Sequence, residues 1–189
     1  MESIAKIFGS SARLKMLRLF MFNQDLSLTL LEITKRTKLS KEAARREVTE
    51  LCASDLLRKK GARASASYQV NPRFEHLAAL NVFIRETTSV RSRAIIGTLR
   101  RAGTLQLVVL SGFFTNVLES RIDMLIVGDH LDERILAHAV HSLEAELGRE
   151  IRYASFATQD FRYRTGVYDR LLRDVFDYPH RLLIDKIGL

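Results

Sequence analysis

Between Thr29 and Val70 the chain carries so many local stop and start signals that few backbone courses remain open to it. Leu30, Leu31, Ile33 and Thr34 open a short helix that ends near Thr37 and Lys38, and Ser40 then offers a side-chain oxygen to cap a second helix running to about Ala53. Within that second helix Ala44, Val48 and Leu51 recur at i, i+4 and i+7 and face inward, which turns Lys41, Glu42, Arg45, Arg46 and Thr49 outward. The outward face is mostly cationic. Leu56 to Gly61 and Ser67 to Val70 read as two short strands around the tip Gly61-Ala62-Arg63-Ala64-Ser65, so a basic hairpin follows the basic helix.

A short helix, a three-residue turn with a capping serine, a basic helix and a basic hairpin together resemble a winged helix-turn-helix domain. The resemblance implies double-stranded DNA as partner, with the second helix in a major groove and the hairpin beside a phosphate strand. It points Lys41, Arg45, Arg46 and Thr49 at the duplex, leaving open whether Arg45 and Arg46 meet base edges or phosphates, and makes Lys59, Lys60 and Arg63 phosphate contacts. The competing reading of the helix arginines is an ordinary solvated face. Upstream, the run from Gly9 to Leu17 is similar to the opening of arsenic-repressor-like winged helices, and the likeness extends to about Pro72. Relatives of that kind often sense metal through paired cysteines or histidines. Neither pair occurs in this region, so metal sensing is not carried over.

Charge is distributed in the same sense. Residues 1–72 hold 14 Lys and Arg against 7 Asp and Glu, residues 73–104 hold 6 against 2, and residues 105–189 hold 10 against 13. The first 104 residues carry +11 and the rest −3, an asymmetry expected of a chain whose front meets a polyanion. A membrane surface suits it less, because no basic helix backs onto a wide aromatic face. Cys52 is the single cysteine, which excludes an internal disulfide framework and a cysteine metal cluster and leaves a buried thiol as the expectation. Met1 to Gln24 lacks the apolar run of a signal peptide and no stretch reaches bilayer length, so the expectation is a soluble cytoplasmic protein.

The flanks read in order. Ser3–Phe22 has a mostly helical apolar spacing with a break at Gly9-Ser10-Ser11, and is expected to pack under the two helices. After Pro72, residues Phe74, Leu77, Leu80, Phe83 and Ile84 put one apolar stripe on a helix from about Arg73 to Thr88. Such a stripe covers either its own chain or the same helix of a second copy; the homodimer is the expectation, since it would set two reading helices on successive half-sites. A further helix spans roughly Ser89 to Arg101 and ends at Gly103. The remainder alternates strands and helices: Leu105–Leu110, Ile122–Val127, a helix opened by Asp132 and closed by Gly148, Ile151–Ala157, a helical stretch Gln159–Phe176 broken at Gly166, and a short Leu182–Ile184 that is a last strand or a packing tail.

Within that remainder, Ser111-Gly112, a loop, and Ser120-Arg121-Ile122-Asp123-Met124-Leu125-Ile126-Val127-Gly128-Asp129 resemble the minimal nucleotidyltransferase domains of the DNA polymerase beta superfamily. The resemblance implies a Gly-Ser turn that cradles nucleotide phosphates and two aspartates that hold metal ions. Asp123 matches the second aspartate, but Arg121 stands at the first, Ser111-Gly112 inverts the Gly-Ser order, and the third strand offers no carboxylate. Ser111, Gly112, Arg121 and Asp123 are therefore expected to form a vestigial nucleotide site, with no catalytic residue, metal or cofactor. A nucleotide held by Arg121 or Arg152 is kept as an alternative, as is Asp123 merely bonded to Arg121 or a loop amide. The His138 and His141 pair and the run Phe161-Arg162-Tyr163-Arg164 are weaker candidates, for a metal and for base stacking.

The expected fold class is α+β: a winged helix-turn-helix over 1–72, a helical connector over 73–103, and over 104–189 a nucleotidyltransferase-like α/β domain with a small mixed sheet. The expected function is transcriptional regulation through DNA binding, with the C-terminal domain used for sensing or assembly. The alternatives are an active nucleotidyltransferase acting on a protein, nucleic acid or small molecule, and a protein-interaction scaffold.

Overall fold

The computed structural model describes residues 3–62, 65–88, 91–115, 117 and 119–189. Its class is α+β, with two small sheets among the described residues. Contacts divide the chain into two compact units, Met1–Val90 with His141–Arg149, and Arg91–Val140 with Glu150–Leu189. The division falls inside the stretch the sequence reads as a connector.

In the first unit, Gly9 adopts a left-handed φ of 73° and ends α1 (Ser3–Ile7), after which Ser10 accepts bonds from the amides of Ala12 and Arg13 and starts α2 (Ser11–Phe22). Met16, Leu17, Leu19, Phe20 and Met21 of α2 lie in the middle of the core, and the other elements gather round it. Strand β1 (Leu28–Thr29) leads directly into α3 (Leu30–Thr37), whose start is a capping box: Glu32 donates its amide to the Thr29 hydroxyl, and its carboxylate accepts from the Thr29 amide at 2.7 Å. Lys38 closes α3 in the left-handed region at φ 54°. Ser40 accepts from the Ala43 amide at 3.2 Å and opens α4 (Lys41–Ala53), so α4 starts at the serine cap the sequence offers.

Ala44, Val48 and Leu51 of α4 are buried, and so is Glu47, at 1% exposure. A carboxylate on that face needs partners. Arg13 of α2 donates to it at 2.8 Å and the Ser10 hydroxyl at 3.3 Å. Beyond α4, β2 (Leu57–Lys60) and β3 (Ser67–Val70) form the hairpin, and β1 pairs with the outer side of β3 to give the order β1-β3-β2. Asn71 ties the hairpin exit to the end of α4 by donating its side-chain amide to the Asp55 carbonyl at 2.8 Å.

Helix α5 (Leu77–Thr87) starts four residues later than its apolar pattern suggests, because the Asn71 side chain accepts from the Arg73 amide and the chain turns through Phe74 and Leu77 first. Its stripe is used at home: Ile84 is buried and Phe74, Leu77 and Leu80 pack on the core around α2. That is the own-chain alternative for the stripe.

The second unit opens with α6 (Ser92–Leu99) and a 3-10 turn at Arg100–Ala102 where the sequence reads one helix; Ser89, its expected start, lies outside the described residues. Strands β4 (Thr104–Leu110) and β5 (Met124–Asp129) are antiparallel, α7 (Glu133–Leu147) follows, β6 (Tyr153–Phe156) runs parallel to β5, and β7 (Arg181–Asp185) is antiparallel to β4, giving the order β6-β5-β4-β7. Leu182–Ile184 is thus a strand. Asp132 caps α7 by accepting from the amides of Arg134 and Ile135. One face of the sheet packs Leu107, Val109, Leu125 and Val127 against Phe161, Leu172 and Val175 of α8 (Thr158–Gly166) and α9 (Arg170–Asp177).

Glu47→Ala should destabilise the first unit by about 2 kcal/mol, since it strips a charge-assisted pair from beneath α4 while Arg13 rehydrates only in part. Urea denaturation followed by a probe in that unit measures this; an unchanged midpoint would show that the pair carries no weight.

Candidate functional site

Two places in the fold gather chemistry-bearing side chains, one in each unit. The first is the outward side of α4 and the hairpin beside it. Lys41, Arg45, Arg46 and Thr49 are exposed on α4, opposite the buried Ala44, Glu47, Val48 and Leu51. The 3.6-residue period alone produces this separation, because the inward set occupies one side of the helix. Arg46 keeps its side chain 67% exposed although one guanidinium nitrogen lies 3.5 Å from the Glu47 carboxylate. Thr49 donates its hydroxyl to the Arg45 carbonyl at 2.9 Å, so its proton already serves its own helix and its oxygen is left as an acceptor.

Lys59 and Lys60, with Arg58, are exposed along β2. Arg63 lies outside the described residues. An electrostatic effect links the strand to the helix: burial pushes the Cys52 thiol on α4 up, and the nearby Lys59 charge works against that rise. Cys52 is half-buried rather than buried. Glu42, in the first turn of α4, is held below the usual glutamate range by hydrogen bonds from its own amide and the Ser40 hydroxyl, with Arg45 and Lys41 adding to it. The helix start thus has one carboxylate among its cations, and the stretch beyond it turns no carboxylate outward until Glu50. Side chains of this composition give that face a positive potential.

The second place is the junction of β4, β5 and β6. Asp123 precedes β5 with its side chain only 1% exposed, and it accepts four hydrogen bonds. Oδ1 takes the Phe113 amide at 2.9 Å and Arg152 Nη2 at 2.9 Å; Oδ2 takes the Arg152 amide at 3.0 Å and Arg152 Nε at 3.1 Å. Those bonds use the four lone-pair sites of a carboxylate. Burial raises this carboxyl, but the Arg152 guanidinium and the Phe113 and Arg152 amides outweigh it and hold the group below the usual aspartate range.

Arg121 does not join this cluster. Its amide donates to Asp174 at 2.9 Å and its half-exposed guanidinium lies 3.9 Å from the same carboxylate. Ser111 bonds through its hydroxyl to Ser120 at 3.1 Å, and its amide donates to the Asp123 carbonyl at 2.9 Å. Gly112 sits at φ 51°, where an added Cβ would lie 2.4 Å from Asp123 Oδ1. The glycine is needed for a close approach to the carboxylate of its own chain. The partner of Asp123 is thus Arg152 together with a loop amide, not Arg121. The Arg152 carbonyl accepts from the amides of Asp123 and Met124, which fastens the start of β5 to the start of β6.

The weaker candidates are dispersed. His141 shares a ring nitrogen with Glu144 at 2.6 Å, and among the described residues no three His, Cys, Asp or Glu side chains come together to hold a metal. In the run 161–164 Phe161 is buried, Arg164 pairs with Asp169 at 2.8 Å and lies over the Phe156 ring, and Tyr163 is 72% exposed. Tyr163 and Arg164 also line an open pocket of about 380 Å³ with Asp160, Val167 and Asp169. Among the described residues no helix is long and apolar enough to cross a membrane.

Glu47 and Arg58 are the residues that reading the sequence leaves out. Glu47 had a signal, since it falls three residues after Ala44 on the inward face. Arg58 had one as the first cation of the β2 run. Comparison with protein-family models, curated proteins and solved structures finds no match to this chain.

Replacing Asp123 with Asn should cost the second unit about 2 kcal/mol at neutral pH, because two charge-assisted bonds to Arg152 become neutral or are lost. A carboxyl held low in the folded state contributes stability above its unfolded value and loses it as pH falls through the folded one, so the parent protein should weaken below about pH 4 and the variant should weaken less over the same range. Denaturation at pH 7 and pH 3 measures both. Equal acid sensitivity in the two proteins would remove Asp123 as its source.

Proposed function

We propose that this chain is a DNA-binding transcriptional regulator that reads duplex DNA with α4. The observation that carries the reading is the sidedness of that helix. Its inward face is fully committed to the core and to the Glu47 pair, while Lys41, Arg45 and Arg46 stand exposed beside the cationic strand β2. A capped helix after a three-residue turn, with a small sheet at its end, supports the winged-helix likeness. On this reading the α4 arginines meet the major groove and the β2 cations meet phosphates.

The second unit on this reading is a nucleotidyltransferase-like domain without transferase activity, kept for sensing or assembly. What supports the loss of chemistry is Asp123. Two-metal phosphoryl transfer needs carboxylate oxygens open to the ions, and here each oxygen already accepts two hydrogen bonds. Three of the four are donated by Arg152, a cation that neutralises the one carboxylate the motif retains.

Fluorescence anisotropy with duplex DNA across a salt series tests the reading. Binding should fall steeply with salt, and Arg45→Ala with Arg46→Ala should weaken it roughly tenfold or more and flatten the salt slope by up to about two charges. Equal binding by parent and double variant, or no binding at low salt, would contradict it.

A further inference from the structure

Helix α7 belongs to both units. Its residues to Val140 group with the second, and His141–Arg149, its last two turns and the residues after them, group with the first. The contacts made by that end are specific. Arg18 of α2, only 2% exposed, donates from Nη1 to the Glu146 carbonyl at 2.8 Å, and Asn23 donates to the Gly148 carbonyl at 2.8 Å and to the Leu19 carbonyl at 2.7 Å. Lys15 pairs with the Glu146 carboxylate at 2.6 Å. Arg18 of α2 and Asn23 just after it thereby satisfy carbonyls that the end of a helix leaves open, and two cations stand at its negative pole.

A further bond reaches the reading pair itself. Lys38, the left-handed residue in the turn between α3 and α4, donates from Nζ to the Ser142 hydroxyl at 2.8 Å. The fit leaves no slack at Gly148, whose φ is 77° and where an added Cβ would lie 2.5 Å from both the Arg18 carbonyl carbon and the Leu19 nitrogen. Helix α2 is also the helix that grips α4, through Arg13 and Glu47.

We infer that residues 141–149 act as a brace that holds α4 in its reading position and so control DNA affinity. The inference rests on the DNA-binding reading for its consequence, but the brace itself is a property of the free chain.

The test uses the full-length protein with Gly148→Ala, which drives a methyl into the α2 backbone, and with Glu146→Lys, which reverses the pair with Lys15. Amide exchange is measured without DNA, and duplex affinity in parallel. In both variants α2 and α4 amides should exchange at least about tenfold faster while β4 and β5 amides keep their parent rates, and duplex affinity should fall by a similar factor. Glu146→Lys separates the brace from simple charge, since it makes the chain more cationic and by electrostatics alone would tighten DNA binding. Parent-like exchange in α4, or tighter binding by Glu146→Lys, would overturn the inference. Should Gly148→Ala fail to fold, Glu146→Lys decides alone; should the parent not bind duplex, the functional reading falls and the exchange rates still decide whether the brace exists.

Discussion

Glu47 is a buried carboxylate in the helix whose outer face carries Lys41, Arg45 and Arg46, and the first unit depends on how it is satisfied. Left alone it would cost several kcal/mol to bury, and α4 would have to roll to hydrate it. Arg13 and the Ser10 hydroxyl remove that need from the α2 side. Ser10 does so while capping α2 with the same oxygen, so one side chain starts one helix and helps orient another. With Glu47 facing α2, Arg45 has only solvent to point at, and the cationic face of α4 follows from an anionic contact beneath it.

The second unit has a comparable knot with the opposite implication. Asp123 and Arg152 join the start of β5 to the start of β6, and the Phe113 amide brings the loop after β4 to the same point. Here the charge is neutralised within the fold, and the glycine that allows the close approach serves the carboxylate. The negative balance of residues 105–189 accordingly says little about a ligand, because Asp123, Asp169 and Asp174 each have a cation or backbone amide beside them.

Much of the local structure was legible because it is decided locally. Gly9 with Ser10, Ser40, Asp132 and Gly148 each mark a boundary through their own backbone preference or side-chain oxygen, and each boundary falls within a residue or two of its signal. The exposure of Lys41, Arg45 and Arg46 was legible from helical period. The start of α5 was missed because the Asn71 side chain turns the chain there, and the burial of Asp123 against a partner far along the chain had no local signal. The identity of that partner was not legible either. Period and capping say which face a residue occupies, and Asp123 with Arg152, 29 residues apart, or Arg18 with Glu146, 128 apart, are chosen only when the chain closes on itself.

The central claim is that the face of α4 turned away from Glu47 reads DNA. A structure of the full-length chain with duplex DNA tests it most directly. The account predicts α4 in the major groove, Arg45 and Arg46 within hydrogen-bond distance of base edges or phosphates, and the cations of β2 on the sugar-phosphate backbone. A duplex lying against any other surface, with Arg45 and Arg46 facing solvent, would contradict it.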